Sequence, residues 1–202
     1  MHHGSYCLEP MATRSETSRR AILEATSALL AETTVQKLSI EAIAKRAGVG
    51  KTTIYRWWPS KAAVVIDAFV EHHIVQTPIS DDVPVPEALR AHLTSLVEQY
   101  AGPRGRLVAQ IIAESQYDES TLHEFRERFW DGRRAATRAL VERGVREGTL
   151  RGDLDPGVMV ELMYSAVYVR LLFRYGELDR SFVEQIVATA MAGIGTGAAV
   201  TG

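Results

Sequence analysis

The chain has 202 residues, 46% of them hydrophobic, and a formal net charge of −2, which allows one or two packed domains and argues against a disordered chain. No apolar run reaches the 18 residues or so that a membrane span needs, and the opening "MHHGSYCLEPMATRSE" lacks the apolar stretch of a secretory signal. Cys7, the single cysteine, has no partner for an internal disulfide, which fits a reducing cytoplasm.

Charge is unevenly placed. Residues 11–61 hold nine basic groups (Arg14, Arg19, Arg20, Lys37, Lys45, Arg46, Lys51, Arg56 and Lys61) against four acidic ones (Glu16, Glu24, Glu32 and Glu41), and the remainder is acidic. A basic module on an acidic body is what a domain that meets a polyanion needs. Solvated surface lysines and arginines are the plainer explanation of the same imbalance.

The pattern is helical throughout. Residues 1–16 read as a flexible arm, and "MHHGS" is compatible with a tag remnant. Over 17–32, Ile22, Leu29 and Leu30 share a face with Ala25 and Ala28. "LSIEAIAKRAG" predicts a short helix capped by Ser39, with Ile40, Ile43, Ala44 and Ala47 at helical spacing and Gly48 ending it. A second short helix is expected over 51–57. Pro59 stops it, and Ser60 caps a longer helix to about 75, with Val65, Ile66, Phe69 and Val70 inward. His72 and His73 sit on that helix, but adjacent residues point in different directions, so they make a poor metal pair.

"QTPISDDVPVPE" (76–87) reads as a linker. Beyond it, amphipathic helices are expected near 87–101, 106–116, 120–147, 156–175 and 179–194, followed by the Gly-rich tail "GIGTGAAVTG". No period-2 strand and no internal repeat is evident. The fold class is therefore all-α, with about nine helices.

"GVGKTTIYRWWPSK" (48–61) poses a choice, because Gly50-Lys51-Thr52 resembles the end of a phosphate-binding loop. Such a loop needs a glycine five residues earlier and a buried strand before it. Here the earlier position is Lys45, and the preceding segment is helical. A helix-turn-helix accounts for the same residues better: 40–47, a tight turn through Gly48, and 51–57. Val49, Ile54 and Ile43 close an apolar wedge between the two helices. That leaves Lys51, Thr52, Thr53, Tyr55, Arg56 and Trp57 for the outer and flanking surfaces, with donors suited to base edges and phosphates. Trp58, one turn after Ile54, is expected in the core.

Residues 18–66, from "SRRAIL" through "LSIEAIAKRAGVGKTTIYRWWPSKAAVV", resemble the N-terminal domain of the TetR/AcrR family of bacterial transcription regulators. Ser18 stands where the family often opens its first helix with Thr, and Lys61 matches the lysine that opens the next helix and reaches a phosphate. With Ser39, these complete the expected DNA-contacting set: Ser18, Ser39, Lys51, Thr52, Thr53, Tyr55, Arg56, Trp57 and Lys61. The sequence departs from the family at Thr34, where many members have a helix-ending Gly, at Gly50 in place of a capping Ser, and at Trp57 in place of His or Tyr.

The resemblance implies a helix-turn-helix domain over 17–60, a connecting helix over 61–76, and a helical effector-binding and dimerisation domain over 77–202. It also implies a homodimer, formed through the last two helices, on double-stranded DNA with a near-palindromic operator, and a repressor released by a small molecule. Val158, Leu162, Val169 and Leu172 on one helix, with Phe182, Ile186, Val187 and Ala190 on the next, form the expected interface. An effector pocket is expected among 87–175, with Gln110, Glu114, Trp130, Tyr164 and Tyr168 as candidates. No cofactor, metal site or catalytic residue is expected. Two other readings stay open: an adaptor binding protein in place of DNA, and an enzyme using Glu114 and His123 as acid and base.

Overall fold

The computed structural model describes residues 12–73 and 79–195. Most of the expected arm, residues 74–78 of the linker and the tail from 196 lie outside the described residues, as do the side chains of His72 and His73. The helices are α1 Ala12–Glu32, α2 Ile40–Ala47, α3 Lys51–Trp57, α4 Lys61–His73, α5 Val85–Tyr100, α6 Pro103–Ser115, α7 Glu119–Phe125, α8 Asp131–Arg146, α9 Pro156–Phe173 and α10 Arg180–Ile194. A π-helical turn, Arg126–Trp130, joins α7 to α8 without a break, since the backbone stays right-handed at both joints. Among the described residues this makes nine helical rods. α1 starts at Ala12, earlier than the expected residue 17.

Local chemistry sets most of the ends. Ser39, Asp118, Asp155 and Asp179 each accept a backbone N–H at a helix start, from Ala42, Thr121, Val158 and Phe182, caps worth about 1 kcal/mol apiece. Ser60 accepts from Ala63 N at 3.0 Å ahead of α4. Gly48 ends α2 at φ 67°, a left-handed position that a side chain would strain. Without a glycine at Thr34, α1 closes through Thr33 N–H on Leu29 O at 2.9 Å.

In the first domain α1 packs on α2, α3 and α4, burying Ile22, Leu23, Val35, Leu38, Ile43, Ile54 and Trp58. In the second, α5 is central, touching α6, α8, α9 and α10. Gly144 lets the end of α8 close on this core, since a Cβ there would lie 2.8 Å from Leu150 and 2.9 Å from Val85. The described part of the linker is held down: Arg143 donates to Val83 O at 2.9 Å and also to Asp81 O.

The two domains share one continuous apolar cluster. α4 makes the junction by packing on α1 at one side and on α7 and the π turn at the other. By length and composition α9 could cross a membrane; it instead packs on α5, α6, α8 and α10, leaving one apolar face outward.

Candidate nucleic-acid interface and cavity

Ile43 of α2 and Ile54 of α3 are fully buried, and half-buried Val49 packs against them from the turn. With Ile54 turned in, helical geometry turns its neighbours out. Lys51, Thr52, Tyr55 and Arg56 are exposed, Tyr55 at 53%, while Thr53 and Trp57 are half-buried. Residues 51 and 55, and 52 and 56, are one turn apart, so this is a single polar surface.

The cations around it are lightly held. Lys51 Nζ meets Glu41 Oε1 at 2.8 Å, and this hydrogen bond lifts the Lys51 pKa and lowers that of Glu41. Arg46 forks onto Glu32 at 2.8 and 2.9 Å. All four side chains are well exposed, and exposed pairs of this kind contribute little, so a phosphate can displace the carboxylates.

Two expected contacts are otherwise engaged. Lys61 Nζ donates to Val35 O at 2.9 Å and Gln36 O at 3.4 Å. It satisfies carbonyls that the α1–α2 turn leaves outside any helix, so the expected phosphate contact would require it to leave both. Ser39 Oγ is the α2 cap, at 3.2 Å from Ala42 N, with only its hydroxyl proton left to give. Ser18 is half-buried on α1.

Trp58 is in the core as expected, 1% exposed, but its polar end carries a link that sequence reasoning missed. Its Nε1–H donates to Asp67 Oδ2 at 2.8 Å. Arg128 of the π turn donates to both Asp67 oxygens at 3.2 Å and also to Glu124. Burial disfavours the Arg128 charge, yet the Glu124 hydrogen bond and the Asp67 field more than offset this and raise its pKa.

A cavity of about 520 Å³, open to the surface beside the exposed Ser165, Val169 and Leu172, lies between α5, the π turn, α8 and α9, in the size range of sites for drug-sized molecules. Trp130, Tyr164 and Tyr168 line it as expected, with His92, Arg126 and Arg133 beside apolar Leu96 and Val160. Trp130 and Tyr168 meet edge to face at 5.3 Å. His92 Nδ1 and Tyr164 Oη are 2.7 Å apart, and the Tyr100 and Tyr168 hydroxyls 3.3 Å. Burial, with the nearby Arg133 charge, pushes the His92 pKa down to about 4, so its ring is neutral at pH 7. Burial pushes both Tyr164 and Tyr168 up. The wall is therefore largely apolar and aromatic, with neutral hydrogen-bonding groups, the cations Arg126, Arg133 and Arg134 and the carboxylates Asp131 and Glu161.

Gln110 and Glu114 are not in this cavity, which corrects that expectation. Both lie on α6 at the domain junction, where Gln110 Oε1 accepts from Val35 N at 2.9 Å. Glu114 lines a smaller cavity of about 230 Å³ beside Lys61 and Asp118. His92 was missed, although a lone histidine among Leu89, Leu93 and Leu96 on the buried face of α5 is a visible signal.

On α9, the expected Val158, Leu162, Val169 and Leu172 all point outward, joined by Ser165 and Phe173; Leu162 is 62% and Phe173 76% exposed. On α10 the expectation needs correction. Phe182, Ile186 and Val187 are buried inside the protomer and Ala190 is half-buried, while Ser181, Glu184, Gln185, Ala188, Thr189 and Ala192 face out. The apolar stripe of α10 is used against α5 and α9.

A basic, outward-facing second helix of a helix-turn-helix, on a helical domain that holds a cavity, defines a two-domain DNA-binding regulator. The comparisons agree. Residues 22–68 match the family described as "Bacterial regulatory proteins, tetR family", and residues 80–190 match "Tetracyclin repressor-like, C-terminal domain". The helix-turn-helix transcriptional regulator YdeS of Bacillus subtilis (strain 168) is 34% identical over 181 residues, 90% of this chain and 91% of its own. The DNA-binding transcriptional repressor TetR of Mycobacteroides abscessus is 25% identical, over 88% of this chain and 93% of its own. The crystal structure of the TetR-family regulator SCO0332 superposes with a TM-score of 0.77 at 30% identity, covering 87% of this chain and 97% of that one. The chain belongs to the TetR family of helix-turn-helix transcriptional regulators.

Proposed function

We propose that the chain is a cytoplasmic, homodimeric repressor that binds a near-palindromic operator and is released by a small molecule held in the 520 Å³ cavity. Two α3 helices related by a two-fold axis enter successive major grooves, about 34 Å apart. Lys51, Thr52, Tyr55 and Arg56 supply the base-edge and phosphate contacts, Thr53 and Trp57 flank them, and Ser18, Ser39 and Lys61 anchor the rim. The partner is held through the outward apolar face of α9, with the small and polar outer face of α10 beside it.

The observation that carries this reading is the position of α4. It starts beside the recognition helix and further along packs on the wall of the cavity, Phe69 meeting Phe129 of the π turn at 5.2 Å. A molecule that binds better to a state with the recognition helices misplaced lowers operator affinity by that difference, and the operator lowers its affinity equally. Apolar aromatic walls with neutral hydrogen-bonding groups suit an uncharged aromatic molecule, since the lining arginines are accompanied by Asp131 and Glu161.

Selection of bound duplexes from a random pool, with affinity followed against salt, tests the reading. An enriched palindrome with a steep salt dependence supports it. A folded, dimeric protein that enriches no sequence would count against it and favour an adaptor.

A further inference from the structure

We propose that Arg128, in the cavity-bearing domain, is a positioning residue for DNA recognition, acting on the recognition helix through Asp67 and Trp58. This rests on the reading of α3 as the helix that meets DNA.

Trp58 is the residue at which α3 stops: its backbone N–H closes on Ile54 O at 3.0 Å. The direction in which α3 leaves the domain therefore depends on where Trp58 is held. One side of its indole faces Arg19 of α1, 5.9 Å from the ring centroid. Its N–H is held by Asp67, one carboxylate on α4. Asp67 is gripped in turn by Arg128, whose guanidinium donates to both carboxylate oxygens.

An aspartate held only by an indole N–H keeps its freedom to rotate, whereas one also held by a guanidinium does not. The Asp67 and Arg128 side chains are 19% and 27% exposed, so the pair is screened far less than the surface pairs around Lys51 and Arg46. The two residues lie 61 positions apart in sequence, one on the connecting helix α4 and the other in the cavity-bearing domain. The contact therefore does more than staple one helix to the next.

The π turn gives Arg128 its second connection. Asp131 N–H closes on Arg126 O, five residues back, so the turn holds one residue more than an α-helical turn would. Arg126 and Trp130 face the cavity, while Arg128 and Phe129 face α4 through Asp67 and Phe69. Rewinding the turn to α-helix would rotate the residues on one side of it by roughly 100° relative to those on the other. The cavity-facing pair and the α4-facing pair cannot both keep their places. Occupancy against Trp130 and the hold of Arg128 on Asp67 are thereby tied to a single turn of backbone.

The test uses the full chain, the operator found by selection and a random-sequence duplex of equal length. Arg128→Met is expected to lower operator affinity about tenfold and leave random-duplex affinity unchanged, because Lys51 and Arg56 keep their charges. Arg128→Lys should restore most of the loss. Asp67→Asn should cost about as much as Arg128→Met, and the double variant should be no worse than the poorer single. A merely structural role would instead lower thermal stability and depress both affinities in parallel.

The proposal is overturned if folded, dimeric Arg128→Met binds the operator like wild type, if both duplexes lose affinity equally, or if the Arg128 and Asp67 losses add. Should Arg128→Met fail to fold, Asp67→Asn, which keeps the side-chain shape, carries the same test. If wild type itself selects no operator while folded and dimeric, the DNA-reading role of α3 has failed and the proposal falls with it.

Discussion

The DNA-binding domain and the cavity domain solve opposite problems with the same kind of helix. The first must hold a few short helices at one angle and leave a polar face bare. It does so with local devices: a Ser39 cap, a left-handed Gly48 and an Ile43–Ile54 contact across three residues of turn. The second surrounds a cavity, and its contacts join positions far apart in sequence: His92 with Tyr164 at the wall, Tyr100 behind Tyr168, and Arg128 with Asp67 at the link to α4. Recognition of DNA is thus built from neighbours, and the cavity and its link to α4 from distant partners.

Substitutions can pull the two regions apart. The largest expected effect comes from the outward α9 face, through which the proposed dimer forms. Leu162→Glu puts a charge in the middle of the outward α9 stripe; sedimentation should show monomers, and operator affinity should drop about a hundredfold or more as one of two linked contacts is lost. A variant that stays dimeric would place the interface elsewhere. Next is Ile54→Ala, which empties a fully buried position between α2 and α3. It should lower unfolding free energy by about 2–5 kcal/mol in denaturant titration, with loss of operator binding.

The cavity domain should respond to acid. The His92 pKa is pushed from 6.5 down to about 4, so between those values the unfolded chain takes up a proton that the folded chain refuses. Stability is therefore highest above pH 6.5 and declines as pH falls toward 4, by about 3 kcal/mol from this group. His92→Gln, which still offers Tyr164 a hydrogen-bond partner, should flatten that part of the stability–pH curve. An unchanged slope would mean that His92 is not the group responsible. The smallest effect on DNA is expected from Trp130→Ala: operator affinity within about twofold of wild type, with an altered response to whichever small molecule releases the wild-type protein. A large loss without ligand would show that Trp130 serves recognition itself, through the π turn it shares with Arg128.

The same contrast decided what could be read from the sequence. Bounds of α2 and α3, and the exposure of Lys51, Thr52, Tyr55 and Arg56, follow from caps and periodicity within a dozen residues. The second engagement of Lys61 was not legible locally, because the same ammonium can serve a phosphate or the Val35 and Gln36 carbonyls, and only the path of the α1–α2 turn brings those carbonyls to it. On α10 the apolar stripe was plain, but periodicity does not say whether a stripe meets its own protomer or a second one; Phe182, Ile186 and Val187 are taken by α5 and α9. The π turn was hidden because one extra residue per turn shifts the phase of an apolar pattern without breaking it. The Trp58–Asp67–Arg128 chain left no local trace at all.

The central claim is that α3 reads DNA through its own cations while the cavity domain governs from a distance. Its most direct test is the salt dependence of operator affinity for wild type and for the Lys51→Ala and Arg56→Ala variants. Each substitution removes two phosphate contacts per dimer and should lower the slope of log K against log salt by roughly 1.8, with weaker binding. Unchanged slopes and affinities in both variants would contradict the claim and place the DNA-contacting surface elsewhere on the molecule.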